Sequence, residues 1–190
     1  MTSLDRVLPG LSRLALLPPC CGEGALAEAA YDAPRALRLT SPAFRNGAPL
    51  PPLYSSTEGQ NVSPPLAWGG IPPRARELAL LCEDPDARAT TPFVHWTLYR
   101  LSPTVHRLPE GLGPDDGPLG AVQGKNSRHR DGYDGPAPPR GSGVHHYHFQ
   151  LFALDAPLDL GPHADRDTLT AAMLGHVLAL GELVGTYERP

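Results

Sequence analysis

Four groups of side chains in this 190-residue sequence could do chemistry. Asp84–Pro85–Asp86 sets two carboxylates on either side of a rigid ring. One of them could orient a histidine or accept a hydrogen from a ligand, although Asp and Pro are first of all turn residues. His95–Trp96 puts an imidazole inside an apolar run, where its ring nitrogens must be satisfied, and a hydrogen-bonded structural histidine is the commoner outcome. His145–His146–Tyr147–His148 invites a metal, but extended backbone sends His145 and Tyr147 to one face and His146 and His148 to the other. A metal needs three or four convergent ligands. Asp84, His95 and His145 would make a two-histidine, one-carboxylate set of the kind some iron and zinc sites use, yet no spacing selects it and no metal or other cofactor is expected. The fourth group is the loop from Gly135 to Gly143, which contains Pro136, Pro138 and Pro139. Its glycines would let backbone N–H groups approach an anion, and its prolines would hold the loop's shape; the plain alternative is a rigid connector. A Ser142–His145–Asp84 triad can be drawn, but the Gly-x-Ser-x-Gly spacing of a nucleophile elbow is absent.

The elements that must position these residues read as strands and turns. Leu37–Arg38–Leu39–Thr40 starts an alternating pattern, and Glu77 to Cys82 is continuously apolar after its first residue, as in a strand buried on both faces. From Phe93 to Leu101 the alternation predicts Phe93, His95, Thr97 and Tyr99 on one face and Val94, Trp96 and Leu98 on the other. His145 to Leu154 predicts His145, Tyr147, Phe149, Leu151 and Ala153 on a shared face. Asp167 to Leu180 has helical spacing, with Asp165 or Asp167 as its cap, and Val184 to Glu188 reads as a closing strand. Between these elements, Pro49–Pro73 and Pro109–Gly143 are rich in proline and glycine and predict shaped loops rather than helices.

Composition narrows the function. Hydrophobic residues make up 41% and charged residues 19%, as in a globular chain with a core. Net charge is -4 with no basic block, so a nucleic-acid backbone has no landing surface. No apolar run reaches the roughly 18 residues of a membrane helix. Three cysteines, two of them adjacent (Cys20 and Cys21), form no closed disulfide framework. Leu14–Leu17 is too short for a signal core, so a cytoplasmic protein is expected. Residues 1–35 differ in texture from the rest and are expected to be an N-terminal extension, a packed short helix or a loose tail, ahead of one domain over residues 36–190.

Taken in order, several runs resemble the phosphatidylethanolamine-binding protein family, which includes the Raf kinase inhibitor proteins. They are Leu39–Thr40–Ser41–Pro42–Ala43–Phe44, Asn61–Val62–Ser63–Pro64–Pro65–Leu66 with Trp68, Asp84–Pro85–Asp86–Ala87, His95–Trp96, Gly132–Tyr133 with Pro138–Pro139, and Gly143–Val144–His145 with Tyr147. The tail, with Leu151–Phe152–Ala153–Leu154–Asp155 and Gly185–Thr186–Tyr187–Glu188–Arg189, resembles the bacterial branch. The likeness spans about residues 37 to 189.

The resemblance implies a mainly β fold: a central, largely antiparallel sheet packed on a second smaller sheet, with a C-terminal helix. It implies a pocket at one end of the strands for phosphate, a phospholipid headgroup or another small anion. Asp84, His95, His145, Tyr147, Gly135, Pro138, Asp86 and Trp96 would be its ligand-binding residues, with Gly135 and Pro138 in the loop that closes the rim. A non-catalytic binding protein is the leading expectation, one that regulates a protein partner and pairs as a homodimer. A kinase or protease inhibitor acting through surface loops is the second, and a weak hydrolase using His95, His145 and Asp84 the third. Two positions depart from the family pattern: Arg88 stands where proline is common, and His146 where arginine is usual.

Overall fold

The computed structural model describes residues 25–190 except 88, 114 and 116; the expectations for residues 1–24, including Cys20 and Cys21, and for Arg88 lie outside the described residues. Among the described residues nine strands occur in the order β1 (Arg38–Thr40), β2 (Ala48–Pro49), β3 (Leu66–Gly69), β4 (Glu77–Asp84), β5 (Phe93–Leu101), β6 (Arg107–Leu108), β7 (Val122–Gly124), β8 (His145–Leu154) and β9 (Val177–Tyr187). One α-helix among the described residues, α1 (Arg166–Met173), precedes the last strand. The strands make a six-stranded sheet in the order β2-β9-β8-β4-β5-β7 and a three-stranded sheet β1-β3-β6. Only the short β2–β9 pairing is parallel. The fold is mainly β with a large and a small sheet, as expected.

The large sheet is covered on both faces, which explains the unbroken apolar run in β4. Leu78 and Leu80 enter an inner core with Trp68, Trp96, Phe149 and Leu151, shared with the small sheet. Ala79 and Leu81 enter an outer core with Tyr99, Phe152, Leu169 and Met173, beneath α1. Each fully buried leucine contributes about 1.5–3 kcal/mol. Residues 25–35 also pack on the outer face. Ala27–Ala30 forms a 3₁₀ turn, Ala27 is completely buried, and Tyr31 meets Phe152 edge-on at 5.4 Å between ring centres.

Two expectations need correction. The helix predicted from Asp167 to Leu180 ends at Met173: Gly175 turns the chain at φ +80°, and Val177–Leu180 pair with β8 as the start of an 11-residue strand. Asp165 is its cap, accepting from the Thr168 amide at 2.9 Å. The simple alternation of β5 also fails. Cys82 lies opposite Trp96 and Glu83 opposite Val94, so His95 is an extra residue in a β-bulge. Val94 and Tyr99 therefore belong to the outer core, while Trp96 and Leu98 belong to the inner one.

Candidate functional site

The bulge decides where His95 goes. Its ring packs edge-on against Tyr147, 4.9 Å between centres, instead of joining Thr97 and Tyr99. Tyr147 and His145 alternate along β8 onto the same inner face and are buried, whereas His146 is exposed on the other face. β4 and β8 run antiparallel side by side, so the end of β4 brings Asp84 to His145, with Asp84 Oδ2 2.7 Å from His145 Nδ1. Asp84 Oδ1 accepts from the Asp86 amide at 2.8 Å, which fixes the Asp84–Pro85–Asp86 turn. Both carboxylate oxygens are therefore held before any ligand arrives.

These residues line a cleft of about 230 Å³ with Ala87, Ala89, Phe93, Arg128, Ala137, Pro138 and Pro139. Of the residues singled out in the sequence, Asp84, His95, His145, Tyr147 and Pro138 meet there. Gly135, Asp86 and Trp96 do not. Gly135 anchors the rim from behind: its amide donates to Asn61 Oδ1 at 2.7 Å, and a Cβ there would lie 1.9 Å from the Tyr54 carbonyl oxygen. Trp96 is fully buried and donates from Nε1 to Gln123 at 2.7 Å. Asp86 faces His146, accepting from its amide and meeting its Nδ1, both at 2.8 Å. Burial raises the Asp86 carboxyl, but the hydrogen bonds from His146 outweigh it and hold it below the usual range. His146 thus provides a hydrogen-bonding partner for Asp86 at the position where the sequence departs from the expected arginine.

Sequence reasoning passed over Arg128. Its Nε donates to Asp134 Oδ2 at 2.6 Å, and its guanidinium lies 5.8 Å from the centre of the Phe93 ring. The long Pro109–Gly143 stretch was the only available signal, because what brings Arg128 to the cleft is its place beside Phe93 on a distant strand.

The hydrogen-bonding roles in the cleft are distinct. His95 Nδ1 lies 2.5 Å from the Asp134 carbonyl, an acceptor only, so Nδ1 carries the hydrogen. Burial lowers the pKa of His95 against the opposing pull of that bond and of the Asp84 charge. The neutral ring then presents Nε2 as an acceptor. The Tyr147 hydroxyl is buried with no hydrogen-bond partner among the described residues. Burial first, and then the Asp84 charge, push its pKa far above that of a free tyrosine, so it stays protonated and able to donate. His145 Nε2 lies 3.1 Å from Ser142 Oγ. Among the described residues no group of three or more His, Cys, Asp or Glu side chains could hold a metal ion.

The family model described as phosphatidylethanolamine-binding protein matches residues 40–188. A UPF0098 protein of Pyrococcus abyssi is 45% identical over 152 residues, covering 78% of this chain and 84% of the relative. A solved structure described as a phosphatidylethanolamine-binding protein homolog from Chlamydia trachomatis is 40% identical, with a TM-score of 0.74 over 82% of this chain and 99% of that one. A Mycobacterium tuberculosis protein named as lipoprotein LppC is 38% identical over 173 residues, 90% of this chain and 83% of the relative.

Proposed function

The chain belongs to the phosphatidylethanolamine-binding protein family, and from that premise we propose that its cleft binds a small oxyanion still carrying one proton, such as a phosphate monoester monoanion or a phosphorylated headgroup. The observation that carries this reading is the Tyr147 hydroxyl, buried at the cleft without a partner among the described residues. A buried donor left unmatched costs about 1–3 kcal/mol, and an acceptor oxygen on a ligand would remove that cost. His95 Nε2 offers the opposite function, a lone pair that matches an O–H. Arg128 supplies positive charge at the cleft, and the Asp84 carboxylate penalises a second negative charge on the ligand. A cleft of about 230 Å³ suits a phosphate or headgroup rather than a whole lipid.

Calorimetric titration with inorganic phosphate and with phosphoethanolamine tests the reading. Wild type binds both. Tyr147→Phe loses about 10- to 100-fold in affinity, the value of a hydrogen bond to a charged acceptor, while the melting temperature of the free protein does not fall and rises by a few degrees as the unmatched hydroxyl is removed. Phosphoethanolamine affinity falls as pH rises through the second ionisation of the ester, about pH 6, while sulfate, which carries no proton there, binds more weakly at every pH. A folded wild type that binds neither phosphate ligand, or a Tyr147→Phe variant that binds as well as wild type, overturns it.

No helix among the described residues is long and apolar enough to cross a membrane. The cytoplasmic proposal rests on cysteine usage, and the lipoprotein name of the mycobacterial relative makes cell fractionation its check.

A further inference from the structure

Ser142, His145 and Asp84 stand in line: Ser142 Oγ is 3.1 Å from His145 Nε2, and His145 Nδ1 is 2.7 Å from Asp84 Oδ2. With Nδ1–H donated to the carboxylate, a neutral ring leaves Nε2 as a base directed at the serine hydroxyl. The hydroxyl also lies 2.7 Å from the Pro139 carbonyl, so a short rotation of its hydrogen chooses between the two acceptors. Gly141 and Gly143, at φ +70° and +86°, hold the serine between two left-handed turns, and a Cβ on either would meet nothing within 4 Å. The space beside the loop is therefore open at both glycines, and Ser142 between them is half-buried. The Gly143 N–H has no hydrogen-bond partner among the described residues. The amide following the nucleophile commonly serves as an oxyanion donor. Val144, beside it, is 49% exposed, the one large hydrophobic side chain so exposed among the described residues. Ser142 is not part of the wall of the anion cleft, whereas His145 and Asp84 line it, so the serine stands at the cleft's edge and shares those two side chains with it.

We propose that Ser142 is an acyl-accepting nucleophile for short-chain carboxyl esters, with His145 as its general base and the Gly143 N–H as oxyanion donor. Ser142 Oγ attacks the ester carbonyl carbon and its proton passes to His145 Nε2. The carbonyl oxygen takes the negative charge at the Gly143 amide. The bond to the alkoxy group then breaks, and the departing alcohol takes the proton from His145. Water repeats the sequence on the acyl-serine, releasing the carboxylic acid and restoring the hydroxyl. Asp84 touches His145 and not the reacting atoms, so it is a positioning residue.

The test is pre-steady-state reaction with p-nitrophenyl acetate, read by nitrophenolate release and by mass spectrometry of the digested protein. Wild type releases a burst of nitrophenolate and carries the acetyl group on the Ser142 peptide. Ser142→Ala, a change in an open loop, loses both. His145→Gln, which keeps a donor for the buried Asp84, slows acylation by about 10²–10⁴-fold, the usual worth of a positioned base. Asp84→Asn lowers kcat with KM unchanged. A natively melting wild type that gains no acetyl group at Ser142, or a Ser142→Ala protein with the same burst, overturns the proposal. Phosphate titration of the same wild-type preparation reads the cleft independently, so failure of the esterase and failure of the anion site are distinguishable.

Discussion

His95 and His145 are both buried histidines at one cleft, yet their ring nitrogens are committed to different partners. His95 gives its Nδ1 hydrogen to the neutral Asp134 carbonyl, and His145 Nδ1 faces the Asp84 carboxylate. Burial depresses the pKa of His95, and this has a consequence for stability. In the unfolded chain a histidine titrates near about 6.5. Below that pH the unfolded state takes up a proton that the folded state refuses, so stability falls as pH drops from about 6.5 towards the folded-state value. Urea denaturation between pH 7.5 and 5 should show this decline, and His95→Gln, which can still donate to Asp134, should flatten it. An unchanged slope in the variant would mean that other groups carry the pH dependence.

Among the elements, β4 and β8 were legible in the sequence, because a strand buried on both faces and a strand with strict alternation leave local patterns. The five residues that meet at the cleft were named by the family resemblance of their motifs, and alternation added only that His145 and Tyr147 share a face. The remainder depended on pairing between distant segments. The β5 bulge at His95 is visible only opposite Cys82 and Glu83, and α1 could not be told from the start of β9 because apolar residues from 169 to 180 fit both periods. Trp96 carried a motif but spends its indole N–H on Gln123 in the core, and Gly135 acts through its lack of a side chain. That last role gives a test for the rim loop. Gly135→Ala would set a methyl 1.9 Å from the Tyr54 carbonyl, and the 3.0 Å approach of the Ser56 amide leaves little room to relax. The expected cost is about 1–3 kcal/mol in denaturant unfolding, with phosphate affinity falling as Pro138 and Pro139 are displaced. A variant as stable as wild type would show the loop to be pliable.

Across the whole molecule, the segment before β1 is joined to the large sheet through a buried carboxylate. Glu83 is completely buried and accepts from the Ala27 amide at 2.7 Å, from Gln150 Nε2 at 2.5 Å and from Arg166 Nε at 2.5 Å. Removing residues 1–31 deletes the first of these bonds and the Tyr31–Phe152 contact. The truncated chain should lose about 2–4 kcal/mol of stability while binding phosphate as the full chain does. Equal stability would make the segment a dispensable covering. The same sheet also encloses Cys82, at the centre of β4, with strands hydrogen-bonded on either side. Burial, with the Asp84 and Glu83 charges adding to it, keeps its thiol protonated. A thiol reagent can reach that sulfur only when the inner core packed over it opens. In a protein whose Cys20 and Cys21 have been replaced by serine, saturating reagent would turn Cys82 into a stopwatch, its labelling rate equal to the rate at which that core first opens.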